Sequence, residues 1–488
     1  MLRVAIPLVI LFSISILPQT KIQISDDTQT CIDCHDMVTP GIVRDWESSR
    51  HASTNLSSAL EKDQLSRRIS IDAIPDELDG SIVIGCFECH SLNTEAHQDS
   101  FDHFGYSINV IVTPDDCKTC HPVEVEEYVS SKKGFAYANL ADNSVYHTLV
   151  ETVTSSKRIE NSKVVQDESS ELTKGETCNA CHGTVVEVDG TKLVNTALGE
   201  IEVPNLTNWP NQGVGRINPD GSKGACTACH PRHSFSIEIA RQPYTCGQCH
   251  LEPDVPAFNV YKESKHGNIY QSMKSKFNWE EVPWEIGKDF KTPTCASCHN
   301  SLIVDAQGSV IAERSHDFGS RLWVRIFGLI YSHPQPKFGD TYRIKNADGL
   351  PLPTTFSNQT ADEYLIGEEE QLSRKAVMQS ICVGCHGTSW SEQQLAKIDN
   401  VNEEVNQMVL AATELMQTAW DEGLEDPTNP FDEQIEILWQ RQWLFYANSV
   451  RYGTAMMGPD YSTFKNGWWE LTQTLQKMHD LIQTKSLK

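Results

Sequence analysis

The pentapeptide Cys-x-x-Cys-His, which occurs eight times in 488 residues, constrains this chain more than any other feature. The eight copies use all 16 cysteines, so none is left over for a disulfide. A zinc site usually pairs two Cys-x-x-Cys elements and has little use for a histidine at a fixed place after each one. The pattern instead predicts c-type haem, in which two thioether bonds hold the porphyrin and the adjacent histidine binds the iron. In chain order, the motif residues are Cys31, Cys34 and His35; Cys86, Cys89 and His90; Cys117, Cys120 and His121; Cys178, Cys181 and His182; Cys226, Cys229 and His230; Cys246, Cys249 and His250; Cys295, Cys298 and His299; and Cys382, Cys385 and His386.

We therefore expect eight covalently attached haem c groups, which would themselves fill much of the core. A low-spin electron-transfer haem needs a second axial ligand, whereas a catalytic haem leaves that position open for substrate. Nine of the 17 histidines lie outside the motifs. Seven of them are predicted to be distal ligands, which leaves one iron open: His51, His103, His147, His233, His266, His316 and His333.

The other two histidines lie in polar surroundings. His479 is followed by Asp480 on a predicted helix, and His97 lies in the run Thr94-Glu-Ala-His-Gln-Asp-Ser. The sequence leaves open whether either is a ligand, and a methionine, a lysine or water could also take an axial position. With His97 as an eighth distal ligand, every iron would be blocked.

The ends and the charge of the chain predict its compartment and partners. Residues 1–25 read as a signal peptide, with Arg3 before a mostly apolar run too short for a confident membrane span; an uncleaved anchor is the alternative. We expect the mature protein in the periplasm or an equivalent compartment. The net charge of −26 argues against nucleic acid and anionic membranes, and favours a small basic cytochrome c as redox partner.

The fold class predicted is mainly α, a multihaem cytochrome c with a haem-packed core, short β-hairpins and a C-terminal bundle of long helices. Residues 26–390 form the octahaem domain; within it, 154–177 is predicted to be a surface loop, 189–225 extended turns and 301–313 a small hairpin. Residues 391–488 carry apolar side chains at helical spacing without a haem motif. They would form either a lid of core helices or, as we favour, an oligomerisation region.

Several strings of the chain resemble the octahaem hydroxylamine oxidoreductase family: Trp209-Pro-Asn-Gln-Gly-Val-Gly-Arg-Ile-Asn-Pro-Asp-Gly-Ser222, CTACHPRH at 226–233, CGQCHLEPDVP at 246–256, Ser264-Lys-His-Gly267 and Phe327-Gly-Leu-Ile-Tyr-Ser-His-Pro334. The resemblance implies a homotrimer whose haems form an electron wire. It also implies that the fourth haem, at His182, is catalytic and lacks a distal ligand. In oxidising members, a tyrosine of a neighbouring subunit cross-links to that porphyrin, and Tyr461 is nearest by position.

The same resemblance places Asp254 in the catalytic pocket, with Tyr331 as a second polar group. Oxidising relatives carry an Asp-His pair after the sixth motif, but here Val255 follows Asp254. Asp254 can accept protons from a bound nitrogen compound, and Val255 cannot. The sequence thus predicts an enzyme that oxidises hydroxylamine or, second, hydrazine. Two alternatives remain: reduction of nitrite to hydroxylamine or ammonium, and a non-catalytic electron relay.

Overall fold

The computed structural model describes residues 23–196 and 199–487. The chain is mainly helical, with small antiparallel hairpins and long C-terminal helices, which confirms the predicted fold class. Residues 1–22, the greater part of the predicted signal peptide, lie outside the described residues. Among the helices of the described part, none is both long and apolar enough to cross a membrane.

The first fifteen helices are short because haem motifs and turns interrupt the chain every few residues. Local signals mark their starts: the Ser25 hydroxyl accepts a hydrogen bond from the Thr28 amide, and proline occupies the first turn of α2, α5, α6 and α12. The helices are α1 Asp26–Val38, α2 Pro40–Glu47, α3 Leu56–Leu60, α4 Cys86–His90, α5 Pro114–Lys118, α6 Pro122–Ser130, α7 Ala136–Ala141, α8 Ser144–Thr154, α9 Glu171–Glu176, α10 Cys178–His182, α11 Ile237–Arg241, α12 Pro243–Cys246, α13 Ala257–Glu263, α14 Lys265–Met273 and α15 Cys295–His299.

The strands form five small sheets. The hairpin predicted within residues 301–313 is present as β8 and β9. Residues 154–177, predicted to be a loop, instead contain an exposed hairpin and α9, and the segment predicted as turns after 189 pairs in a long hairpin. The strands are β1 Ser100–His103, β2 Tyr106–Asn109, β3 Lys157–Glu160, β4 Lys163–Gln166, β5 Glu187–Thr196, β6 Gly199–Thr207, β7 Trp284–Glu285, β8 Ile303–Val304, β9 Val310–Ala312, β10 Val324–Arg325 and β11 His333–Pro334.

Six further helices form the C-terminal bundle: α16 Glu368–Val383, α17 Thr388–Asp421, α18 Gln434–Arg441, α19 Ala447–Ala455, α20 Pro459–Thr463 and α21 Trp468–Ser486. One π-helical turn, Gln442–Tyr446, joins α18 to α19. The apolar stripe of α17, including Val405, Ala412 and Ala419, is buried against α18, α19 and α21.

The stripe of α21 packs inward in the same way. Leu471, Met478 and Ile482 are buried in the cluster that also receives Leu352 from an extended segment before the bundle. These apolar side chains are therefore used inside one chain. Any contact between copies would rest on other side chains of the C-terminal region.

Candidate haem-binding cavity and active site

One branched cavity of about 2480 Å³ runs through the body of the chain, and each of the eight motifs contributes at least two residues to its wall. The rest of the wall is largely aliphatic and aromatic. A cavity of this extent in a protein interior that is otherwise close-packed needs an occupant. Porphyrins bound through the motif cysteines fit its apolar character and the position of the thiols.

The motif histidines are oriented for iron. The Nδ1 atom of His35 lies 2.8 Å from the Thr39 hydroxyl, that of His90 lies 2.8 Å from the Asn109 carbonyl oxygen, and that of His182 lies 3.2 Å from the Ala136 carbonyl oxygen. A ring whose Nδ1–H donates to such a partner presents Nε2 as the free ligand atom. A carbonyl oxygen can only accept, so the chain holds the rings of His90 and His182 in the tautomer that a haem iron requires. The Thr39 hydroxyl can accept from His35 in the same way.

Three predicted distal histidines face a motif histidine at the spacing expected for a shared iron. The ring centroids are 6.2 Å apart for His103 and His35, and 6.4 Å apart for His51 and His121. Those of the third pair, His266 and His386, are 6.1 Å apart. Two imidazoles that bind one metal ion from opposite sides, each at about 2 Å, would have centroids roughly 6 Å apart.

Two more predicted ligands lie within electrostatic range of a motif histidine. Burial lowers the pKa of His233, and His90 lowers it further. Burial likewise lowers the pKa of His316 to about 4, with His230 as the next contributor. Both line the cavity. Each therefore lies near a motif histidine, which fits the prediction that His233 and His316 are distal ligands.

The remaining two predicted ligands are placed elsewhere. His147 lies on the exposed side of α8, and His333 is buried beside Arg325 and Arg451; neither lines the cavity. Burial lowers the pKa of His333 to about 3. His147 is turned away because α8 directs its apolar side to the cavity, whereas His333 lies in β11, paired with Arg325 of β10. The Nδ1 atom of His333 lies 2.6 Å from the Pro334 carbonyl oxygen and its buried Nε2 atom has no hydrogen-bond partner, so its role as a ligand stays a prediction.

The thiols show the order in which the motifs meet. Cysteines of the first, second, third, fifth, sixth, seventh and eighth motifs lie in electrostatic contact in that order, which we call the main line of motifs. The fourth motif is not part of this line and instead contacts the sixth. The contacts are Cys31 with Cys86, Cys89 with Cys117, Cys117 with Cys226, Cys229 with Cys246, Cys246 with Cys295, Cys298 with Cys382 and, at the branch, Cys181 with Cys249.

The fourth motif is held by the glycine-rich loop that follows β6. The amide of Val214 donates to the Cys181 carbonyl oxygen at 2.9 Å, and that of Gly215 donates to the His182 carbonyl oxygen at 3.1 Å. A Cβ atom on Gly213 would overlap the backbone of Gly183, which itself has a positive φ of 97°. This close approach explains why glycine occupies position 213, since any side chain there would collide with the backbone of the fourth motif.

Charged groups surround His182 on the cavity side. Burial lowers the pKa of His182, and Lys133, Asp254 and Arg325 act on the same ring. Asp254 and Arg325 also act together on the hydroxyls of Tyr146 and Tyr452. Burial raises the pKa of Asp254, although its carboxyl group faces the cavity.

This pocket contains three groups that sequence reasoning did not single out. Arg325, Tyr146 and Tyr452 come from β10, α8 and α19, which are far apart in the chain. The only signals were local: Arg325 lies just before the string that begins at Phe327, and Tyr146 precedes His147. Burial raises the pKa of Tyr146 to about 12, so it remains a proton donor at neutral pH.

The two tyrosines predicted for the site have other partners. Tyr331 is buried in the C-terminal core, donates to the Phe356 carbonyl oxygen at 2.7 Å and does not line the cavity. Tyr461 donates to the Glu252 carboxylate at 2.9 Å, two residues before Asp254 in the chain. The α19 residue Asn448 also donates to the Asp254 carbonyl oxygen at 2.9 Å. The C-terminal helices therefore hold the loop that carries Asp254.

Comparison with known proteins agrees with this architecture. Two family models match, one described as seven times multi-haem cytochrome CxxCH over residues 217–312, the other as cytochrome c554 and c-prime over residues 116–202. A solved structure described as a hypothetical multiheme protein is 44% identical, with 95% of this chain and 96% of that chain covered and a TM-score of 0.89.

Two proteins of Kuenenia stuttgartiensis are also similar. A solved reducing HAO-like protein complex is 19% identical, covers 94% of this chain and 85% of that chain, and has a TM-score of 0.60, which shows a shared fold. A probable nitrite reductase-hydroxylamine oxidoreductase fusion protein is 25% identical over 286 residues, or 55% of this chain. The match spans only 25% of that protein's own length. Together with the haem motifs and the cavity, these likenesses show that the chain belongs to the multihaem cytochromes c related to hydroxylamine oxidoreductase.

Proposed function

We propose that the chain is an octahaem oxidoreductase that reduces a small nitrogen oxyanion, with nitrite first, at the haem of the fourth motif. The observation that carries the proposal is the setting of His182. Asp254 and Arg325 act on its ring from the cavity side. Three other motif histidines face a second histidine, and two more lie within electrostatic range of one. Among the three motifs that remain, the fourth is the one whose histidine is approached by a carboxyl group, so we take its haem as the one with an open position.

The charges of this pocket suit an anion. Arg325 offers a guanidinium to a nitrogen oxyanion, and guanidinium groups pair well with small planar anions. Reduction of nitrite to ammonium and two waters consumes six electrons and eight protons, so the pocket must also deliver protons. Asp254, whose pKa is raised by burial, and the neutral hydroxyls of Tyr146 and Tyr452 are the donors at hand.

When bound, the haem at the fourth motif supplies an iron that holds the substrate nitrogen and passes electrons to it. The chain's own residues position this reaction. The loop after β6 holds the motif from one side, and Asn448 and Tyr461 hold the Asp254 loop from the other. The sulfur contact between Cys181 and Cys249 supports the sixth motif as the route for electrons.

Hydroxylamine oxidation is the second candidate, because Asp254 can accept the protons that this reaction sheds. Tyr461 is relevant to this candidate because it is the residue predicted to cross-link to a haem in oxidising members. Its hydroxyl lies next to the loop that carries Asp254, where it donates to Glu252 of the same chain. A cross-link from Tyr461 would give a haem-staining ladder at trimer mass on a denaturing gel, and Tyr461→Phe would abolish it. We expect a monomer band in both proteins.

The decisive experiment compares both directions on the purified holoprotein. Ammonium formation from nitrite with a reduced viologen dye is measured beside nitrite formation from hydroxylamine with an oxidised cytochrome c. Electron paramagnetic resonance of the ferric protein should show one high-spin iron. Turnover in the oxidative direction alone would reject the proposal in favour of the second candidate. No turnover and no high-spin iron would leave an electron relay.

We also propose the cellular setting. Residues 1–25 would direct export, because haem attachment to these motifs takes place outside the cytoplasm. A small basic cytochrome c fits the net charge of −26 as electron partner, and the family resemblance supports a homotrimer. Size-exclusion chromatography with light scattering tests the trimer directly.

A further inference from the structure

Three segments of seven residues share one pattern: an aromatic residue, two variable positions, serine, a basic residue, then histidine or lysine, and a small residue. They are Trp46–Ala52 (WESSRHA), Tyr261–Gly267 (YKESKHG) and Tyr128–Gly134 (YVSSKKG). Each lies at the C-terminal end of a short helix, respectively α2, α13 and α6. The similarity is therefore one of structure as well as of sequence.

The backbone of the three segments has the same turn. The serine amide donates to the carbonyl oxygen of the aromatic residue, at 2.8 Å from Ser49 to Trp46. The same bond measures 3.1 Å in each of the other two segments. All three serines are buried, and the hydroxyl of each accepts from a backbone amide two or three residues later. The turn aims the sixth residue of each segment into the cavity.

In two of the segments this sixth residue is a distal histidine. His51 faces His121, and His266 faces His386, at the ring spacing given above. In the third segment it is Lys133, whose Nζ atom lies 3.0 Å from Nε2 of His250. Lys133 thus stands toward the sixth motif as His51 stands toward the third and His266 toward the eighth.

We propose that Lys133 is the distal axial ligand of the haem iron at the sixth motif, which gives this protein one His/Lys haem. The lysine amine is a nitrogen donor on a flexible stem, so its tip can retreat far enough to admit the iron between Nζ and Nε2. It binds iron only as the neutral amine, so ligation displaces its proton. The inference goes beyond the proposed function and holds whatever the substrate.

The position gives this ligand a consequence for electron flow. The sixth motif is the branch point, because Cys249 meets Cys181 of the fourth motif while Cys246 meets Cys295 of the seventh. An axial ligand sets the reduction potential of its haem. The haem that exchanges electrons with the proposed active site would therefore differ in ligation from the bis-histidine haems of the line.

The test uses near-infrared magnetic circular dichroism and electron paramagnetic resonance on the ferric holoprotein. We expect the wild type to show one His/Lys low-spin iron beside the bis-histidine irons. Lys133→Ala should remove that signal and add one high-spin iron, and Lys133→His should convert it to a bis-histidine signal. Haem content, measured as the pyridine haemochrome, should be equal in all proteins compared.

Lys132 is the matched control. It is the adjacent lysine, it occupies the place of Arg50 and Lys265 in the repeat, and its Nζ atom donates to the Pro336 carbonyl oxygen at 3.4 Å. Lys132→Ala should leave the His/Lys signal unchanged. A wild type without a His/Lys signal would overturn the proposal. If Lys133→Ala fails to mature, Lys133→His decides the matter, since a His/Lys signal that survives it would overturn the proposal as well.

Discussion

The Nε2 atom of His97 lies 3.2 Å from the carboxylate of Asp116, and its Nδ1 atom lies 3.1 Å from that of Asp99. Asp220 approaches the same ring at 3.8 Å. The imidazole side chain is wholly buried. The ring therefore ties together three segments of the chain, and the carboxylates occupy both nitrogens that an iron would need.

This cluster predicts a pH-dependent stability. Burial opposes the charged imidazole, but the hydrogen bonds to Asp116 and Asp99 outweigh it and raise the pKa of His97 from 6.5 to about 10. Since the folded pKa lies above the unfolded value, the stabilisation is complete below about pH 6.5 and is lost as pH rises through about 10. His97→Gln should cost about 3 kcal/mol at pH 6, by breaking a buried ionic cluster. Thermal unfolding followed across this range should show the difference from wild type shrinking toward pH 10.

His479 provides the control for this experiment. It also pairs with an aspartate, Asp480, at 3.2 Å, but its side chain is about half exposed. Exposed pairs contribute little to stability. His479→Gln should unfold like the wild type at every pH. An equal loss in both variants, or a loss in His97→Gln that does not change with pH, would contradict the role given to the cluster.

Asp254 predicts a pH dependence of turnover. Burial raises the pKa of its carboxyl group, and reduction of nitrite needs the protonated form. The rate should therefore fall as pH rises through that pKa, and Asp254→Asn should lose this limb together with roughly 10²-fold or more of kcat. Steady-state rates with reduced viologen measure both. Asp189→Asn, an exposed change on β5, is the control for the lost charge, and an unchanged pH profile in Asp254→Asn would remove this residue from the proton path.

If Arg325 binds the substrate anion, its replacement should weaken binding of nitrite more than binding of a neutral substrate. A hydrogen bond to a charged group contributes about 1.5–3 kcal/mol, so Arg325→Met should raise KM for nitrite by roughly 10- to 100-fold. Hydroxylamine, which is mostly neutral, should be affected much less. Arg343→Met, at an exposed arginine, is the matched control. Equal losses with both substrates would mean that Arg325 supports the pocket rather than the anion.

Local spacing was enough to predict the motifs and the nature of the fold. It was not enough to place the distal side. His97, in a polar run, is buried because Asp116 and Asp220 arrive from distant segments, while His147, beside an aromatic residue, lies on the exposed side of its helix. Only the path of the chain decides such placements.

The residues of the pocket around His182 also differ in whether the sequence could place them. Asp254 was identified from its string, and the structure places it near His182. Tyr331 was identified in the same way, but its ring is buried among the apolar side chains of the C-terminal bundle. Because only histidines were counted as distal ligands, Lys133 was not identified from the sequence. The repeat that contains it can be recognised in the sequence once the structure shows where His51 and His266 lie.

The close contact of Gly213 with α10 predicts how a larger residue at this position would change stability and the fourth haem site. A Cβ atom there would overlap the Gly183 backbone nitrogen and approach the Asn179 carbonyl oxygen to 2.8 Å, and backbone atoms cannot turn aside as a side chain can. Gly213→Ala should therefore cost about 1–3 kcal/mol and displace the loop from α10. Thermal unfolding should show a lower midpoint, and the high-spin iron signal should broaden or change. Gly175→Ala, in α9 with open space around it, should be neutral or slightly stabilising. If Gly213→Ala left both readouts at wild-type values, the loop would not be what holds the fourth motif in place.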